Sequence, residues 1–163
     1  MMRHLIMLIC CMLAICGQAQ TVTRVSHSTA VKTDVVTTGQ ITIRKPDYIC
    51  ISTDGGRDQL LMNGTKFTMT TKGKRHRTDC NKNPQFASFQ KVLLAVINNQ
   101  PIPACEDMTI QNKGRQQVIT ITPTSKKRQM FTSFVLVIDS KTSAMKSLRL
   151  NQKGDNYIEY QFK

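Results

Sequence analysis

The turn punctuation constrains this chain most. From Gly39 onward, short runs that alternate apolar and polar residues are cut by turn residues about every ten positions, the pattern of an antiparallel meander. Ile41-Thr42-Ile43 stops at Lys45-Pro46-Asp47, and Tyr48-Ile49-Cys50-Ile51 stops at Asp54-Gly55-Gly56. Leu60-Leu61-Met62 meets Asn63-Gly64, a strong hairpin signal, and Lys66 to Thr70 reads as the return strand. Asn63-Gly64-Thr65 also fits a glycosylation sequon; its place between two strand patterns favours the turn. Strands resume at Met108-Thr109-Ile110, Gln117 to Thr122, Met130 to Ile138, Met145 to Leu150 and Tyr157 to Phe162. Residues 21–37 are rich in Thr and Val, which suit a pleated, half-buried surface.

One segment breaks the period. Asn83-Pro84 has the form of a helix N-cap followed by a first helical residue. Phe86, Phe89, Leu93 and Val96 or Ile97 then recur at helical spacing until Asn98-Asn99-Gln100-Pro101. The expected fold is therefore mainly β (α+β). It is an incomplete antiparallel β-barrel, or strongly curved sheet of about eight strands, with one helix covering the concave face.

The N-terminus reads as an export signal. Arg3 supplies the positive end, and Leu5 to Cys16 is an apolar run. That run is shorter than the ~20 apolar residues that a spanning helix needs. Gly17 and Ala19 are small residues at the −3 and −1 positions of a cleavage site before Gln20. The expected organisation is a signal peptide at 1–19 and a single domain at 20–163. A buried N-terminal helix is the bland alternative. Lipidation at Cys16, with Leu13-Ala14-Ile15-Cys16 as lipobox, is disfavoured because Ile15 is too large for that position.

The formal net charge is +13, which fits solubility or an anionic partner. Export and the absence of Trp argue against nucleic acid. The basic residues are scattered, with two short clusters, Lys72-Lys74-Arg75-Arg77 and Lys126-Lys127-Arg128. Three cysteines follow the signal, Cys50, Cys80 and Cys105. An odd number leaves one thiol over, and the pairing stays open. No Gly-x-Ser-x-Gly, phosphate-loop or His-Glu-x-x-His motif occurs, so no enzyme is expected. His76 and Cys80 lack the paired spacing of a metal site, and neither metal nor cofactor is expected.

The order of elements resembles the outer-membrane lipoprotein carrier (LolA-like) family over about residues 38–163. Gly39-Gln40-Ile41-Thr42-Ile43-Arg44-Lys45-Pro46-Asp47-Tyr48 resembles its "Gly, strand, basic-Pro, aromatic" opening. Residues 58–67 are similar to its next hairpin, and the helix at 84–98 sits where the family has lid helices. Ile119-Thr120-Ile121-Thr122-Pro123-Thr124 resembles its "strand, Leu-Thr-Pro" step, and the late hairpins also match in order. The resemblance implies an apolar cavity that takes acyl chains, without chemistry, during transport across the periplasm to the outer membrane. It also implies that the basic residue before the Pro, here Lys45, helps hold the lid closed. The family usually has Arg there, whose planar fork reaches several carbonyls; Lys is a point donor. The family's N-terminal helix and late C-terminal extension have no counterpart.

The cavity lining expected from alternation is Ile41, Ile43, Ile49, Ile51, Phe67 and Met69 from the first half. Phe86, Phe89, Leu93 and Ile97 come from the helix, and Phe134, Leu136, Ile138, Leu148 and Leu150 from the second half. Met62, Met69, Met108, Met130 and Met145 add adaptable side chains. The expected function is a monomeric periplasmic carrier, or chaperone, for lipoprotein acyl chains or other lipid. Its partners would be an inner-membrane donor and an outer-membrane acceptor. The alternative is a non-enzymatic envelope adaptor with a filled core and a basic surface. N-terminal sequencing of the exported protein should find Gln20 within a residue or two; a diacylated Cys16 would overturn the soluble assignment.

Overall fold

The computed structural model describes residues 20–124 and 128–163. The expected signal peptide, Cys16, Lys126 and Lys127 lie outside the described residues. Eleven strands form one antiparallel sheet. They are β1 (Gln20–Ser28), β2 (Val31–Arg44), β3 (Tyr48–Thr53), β4 (Asp58–Asn63), β5 (Lys66–Thr71) and β6 (Lys74–Asp79), then β7 (Met108–Lys113), β8 (Gln116–Ile121), β9 (Ser133–Asp139), β10 (Met145–Asn151) and β11 (Tyr157–Phe162). The helix α1 (Pro84–Ile97) lies between β6 and β7 in the chain. No helix among the described residues is long and apolar enough to cross a membrane.

The spatial order is β6-β5-β4-β3-β2-β1-β11-β10-β9-β8-β7. Every neighbouring pair is consecutive in sequence except one. β1 pairs with β11, from Val22 opposite Phe162 to His27 opposite Tyr157. Two meanders are thus joined along their terminal strands, and β6 and β7 are the free edges of an unclosed sheet. α1 connects those two edges, so the chain must cross the concave side to get from one to the other.

The sheet is larger than the eight or so strands expected. One added strand is β6, whose Lys74-Arg75-His76-Arg77-Thr78-Asp79 has no apolar alternation. It forms because Lys72 and Gly73, both at positive φ, turn the chain back onto β5. Another comes from residues 21–37, which are a hairpin of two strands with Thr29-Ala30 at its tip. The far part of that hairpin projects from the core, leaving Val31, Val35 and Val36 exposed. The turn at Asn63-Gly64 falls one residue later than expected. Asn63 pairs with Lys66, and Gly64 and Thr65 make the bend.

One glycine lets the sheet curl. Gly39 sits within β2, opposite Val22 on one side and Thr53 on the other. A Cβ there would run into the Ser52 carbonyl oxygen and lie 2.7 Å from Thr53 Cα. These are backbone atoms of a paired strand, which cannot move aside as a side-chain tip can. Gly39→Ala should therefore cost about 1–3 kcal/mol of stability, the range of a core steric clash. Urea denaturation would measure it; a loss below ~0.5 kcal/mol, the scale of an indifferent surface change, would mean that the curvature does not depend on the missing Cβ.

Candidate functional site

The concave face is built by strand alternation. Ile41, Ile49, Ile51, Leu60, Met62, Phe67 and Met69 point inward from the first meander. Ile119, Ile121, Phe134, Leu136, Ile138, Leu148 and Leu150 do so from the second. Against them lies α1, capped by the Asn83 side chain, which accepts a hydrogen bond from the Gln85 N–H at 3.1 Å, with Pro84 following. Its Phe86, Phe89, Leu93 and Ile97 are buried. Phe89 stacks on Phe134 with centroids 4.3 Å apart, and Phe86 leans on Phe67 at 4.8 Å.

All fifteen residues expected to line a cavity meet in this one cluster; Ile43 is the one only partly buried. They fill the space between helix and sheet by packing on one another. The helix is also more enclosed than a surface cover. Val92, Ala95 and Val96, off the aromatic stripe, are buried too, and Pro84 and Lys91 are its exposed residues.

Polar contacts around the rim tie α1 down, and sequence reading missed them. Gln85 Nε2 donates to the Phe131 carbonyl at 2.7 Å, while Gln85 Oε1 accepts from the Met130 N–H at 3.4 Å. Gln90 Nε2 donates to the Gly64 carbonyl at 3.0 Å. Asn98 Nδ2 donates to the Pro46 carbonyl at 2.7 Å and to Leu94 at 2.8 Å. Gln85 and Gln90 are buried although they fall outside the expected stripe. A signal was available: the helix carries a single charged residue, Lys91, and its other long polar side chains are amides.

The basic-Pro corner does touch the helix, but not through the expected residue. Lys45 is exposed and has no hydrogen-bond or ion-pair partner among the described residues. The contact is made by the Pro46 carbonyl, which accepts from Asn98. The physical reason is orientation: Arg44 stacks on Tyr48 outside the sheet and Lys45 follows it into solvent, while the Pro46 carbonyl faces the helix end.

One end of the concave face holds a buried ion pair. Arg24 Nη1 lies 3.1 Å from Asp58 Oδ2, with both side chains more than nine-tenths buried. Asp58 also accepts the Lys72 N–H at 3.0 Å. Tyr160, directly opposite Arg24 in the ladder, shares this pocket. Burial pushes the Tyr160 hydroxyl up to about 12, although the adjacent Arg24 favours the ionised form. The Arg24 Nε has no acceptor. Removing either partner alone would strand a buried charge.

Cys50, Cys80 and Cys105 are all free. Burial pushes the Cys80 thiol up to about 11, and the neighbouring Asp79 charge adds to that. His76 is exposed on the sheet edge while Cys80 is buried, so the two do not converge. Among the described residues no three His, Cys, Asp or Glu side chains group as metal ligands do.

Two open pockets lie side by side, the smaller against the N-terminal end of α1. One, of about 280 Å³, has Phe67, Phe86 and Met130 against His76, Arg77 and Arg128. The other, of about 510 Å³, has Met69, Met130 and Ile158 with Arg24, Lys72, Lys74 and His76. They share His76 and Met130, so they form one groove along β6.

No family model matches the chain, and no curated protein matches it in sequence. Solved structures similar to it include a LolA superfamily protein from Nitrosomonas europaea. That pair is 7% identical over 89% of this chain and 83% of the other, with a TM-score of 0.35. A LolA superfamily protein thus stands among the structures that this chain resembles. A proposed outer membrane lipoprotein-sorting domain from Vibrio parahaemolyticus is 10% identical over 89% of this chain and 82% of its own, at a TM-score of 0.34. The MucA/MucB complex of Pseudomonas aeruginosa is 15% identical over 90% of this chain, at a TM-score of 0.40. This chain spans half of that one, 50%. The likeness is one of architecture; the rim amides and the basic groove are read from this chain's own residues.

The Tyr160 environment predicts alkaline instability. Unfolded Tyr ionises near pH 10, whereas the folded hydroxyl holds its proton to about pH 12. The folded state therefore binds more protons in that window, and stability should fall as pH rises from 10 to 12. The loss attributable to Tyr160 is on the order of 2 kcal/mol. Comparing urea midpoints of the parent and Tyr160→Phe at pH 9 and pH 11.5 checks it, the variant losing less. An equal loss in both proteins would remove Tyr160 as the cause.

Proposed function

We propose that the protein is a non-catalytic carrier for acyl chains of lipoproteins or lipid, working in the periplasm, with α1 as the element that moves. In this reading the ligand displaces the helix stripe Phe86, Phe89, Leu93 and Ile97 from the concave face. The chain then packs on Ile41, Ile43, Ile49, Ile51, Phe67 and Met69, and on Phe134, Leu136, Ile138, Leu148 and Leu150. The observation that carries it is how α1 is fastened. Apart from apolar packing, its ties to the rim are neutral amide hydrogen bonds, from Gln85, Gln90 and Asn98 to backbone carbonyls and from the N-cap Asn83 to the Thr78 hydroxyl. No ion pair or disulfide joins it to the sheet among the described residues.

The magnitudes allow the exchange. A neutral hydrogen bond contributes ~1 kcal/mol net, so the rim latches together hold a few kcal/mol. Re-exposing Phe86, Phe89, Leu93 and Ile97 costs a further ~1.5–3 kcal/mol each, and a buried methylene returns ~0.8 kcal/mol, so roughly eleven to nineteen methylenes offset helix and latches together. A long acyl chain, or the paired chains of one lipid, supplies that number. The donor membrane protein, the acceptor and the identity of the lipid belong to this proposal and not to the geometry.

A second reading has support of its own. The core is filled, and the β1–β2 hairpin projects with Val31, Val35 and Val36 exposed, as an envelope adaptor that binds another protein would have it. Lipid binding separates the two. A spin label at Lys91, exposed on α1, should gain mobility when a fluorescent fatty acid saturates the protein. Asn98→Ala, which removes one latch, should speed uptake about five-fold, as expected for ~1 kcal/mol. Lys45→Leu should leave uptake unchanged. An immobile label and no bound fatty acid, in parent and Asn98→Ala alike, would favour the adaptor.

A further inference from the structure

We infer that the groove along β6 is a headgroup site, so that the ligand is an anionic amphiphile, one carrying a phosphate or similar group at the end of its apolar chain. This rests on the carrier reading and adds the chemistry of the other end of the ligand. The first observation is the groove's charge. Lys72, Lys74, His76, Arg77 and Arg128 line it, and no Asp or Glu does. The side chains of Lys72, Lys74, Arg77 and Arg128 have no carboxylate partner among the described residues, so their charge in the groove is not neutralised from within. All ten acidic residues of the chain fall within the described residues, so that imbalance belongs to the molecule.

The second observation is a built donor at the bottom. Arg24 is 3% exposed and lines the larger pocket, yet its Nε meets no acceptor. A buried guanidinium donor left unsatisfied costs free energy that an incoming anion oxygen would recover. The third observation is the apolar side. Phe67 and Phe86 line the smaller pocket and belong to the same core cluster as the proposed acyl path. Met130, 38% exposed, stands where the two pockets meet. A headgroup in the groove would therefore hold its chain beside the N-terminal turn of α1. Gln85, which lines the same pocket, is the latch that such a chain would meet first.

Full exported protein and a Lys74→Gln/Arg77→Gln/Arg128→Gln variant provide the test. These three side chains are surface cations outside the core, so the variant should keep the parent's circular dichroism and urea midpoint. Binding is measured for dodecyl phosphate, dodecyl maltoside and inorganic phosphate, each below any micellar concentration. The parent should bind dodecyl phosphate about ten-fold more tightly than dodecyl maltoside, and the variant should lose that preference while binding the maltoside as before; three partly screened charges support a change of that size. Equal binding of both amphiphiles by the parent, or a preference that survives in the variant, overturns the headgroup site and leaves the carrier reading standing. Inorganic phosphate binding as tightly as dodecyl phosphate overturns the amphiphile in favour of a free-anion site. If neither amphiphile binds the parent, the carrier reading fails and the headgroup site falls with it.

Discussion

The pairing of β1 with β11 is the constraint on which the rest of the structure depends. Each meander on its own is a twisted ribbon with one apolar face and two edges. Joining them through their terminal strands gives a single surface wide enough to curl around a helix. It also determines where the edges fall. With β1 and β11 central, β6 and β7 become outermost, and the helix that links them in sequence has to cross the hollow. Helix position and groove position both follow from that one ladder.

Within the hollow, two kinds of interaction are kept apart. Apolar packing of α1 on the sheet is strong and indifferent to exact geometry, so another apolar body of similar shape can take its place. The amide latches at Gln85, Gln90 and Asn98 are weak and directional. They set where the helix rests without making it hard to move. The buried Arg24–Asp58 pair does the opposite, because separating its charges inside the protein is costly.

Sequence reading recovered what repeats and missed what pairs at a distance. The inward-facing residues of β3, β5, β9 and β10 were legible because strand alternation depends on neighbours two positions away. The helix was legible for the same reason, through Phe86, Phe89, Leu93 and Ile97. β6 was not, because Lys74-Arg75-His76-Arg77 has the polarity of a loop and becomes a strand only through the Lys72-Gly73 turn. Arg24 and Asp58 lie three strands apart, and no local pattern foretells that curvature brings them together. The latches were missed because their acceptors are backbone carbonyls, which carry no mark in a sequence. Lys45 was carried over from a family resemblance at the right corner, where the neighbouring Pro46 carbonyl makes the contact.

The central ladder has a kinetic consequence. The pairings within each meander join residues close in the chain, but Val22 and Phe162 lie at opposite ends of the domain. Loop-closure cost grows with the length enclosed, and contacts of long range slow folding. The two ribbons can therefore form early, each with an unpaired central edge, and the domain is complete only when those edges meet. Until then both apolar faces lack their helix and each other, which makes the interval before docking the time of greatest exposure to aggregation. A chain built this way benefits from being kept extended until all of it is present.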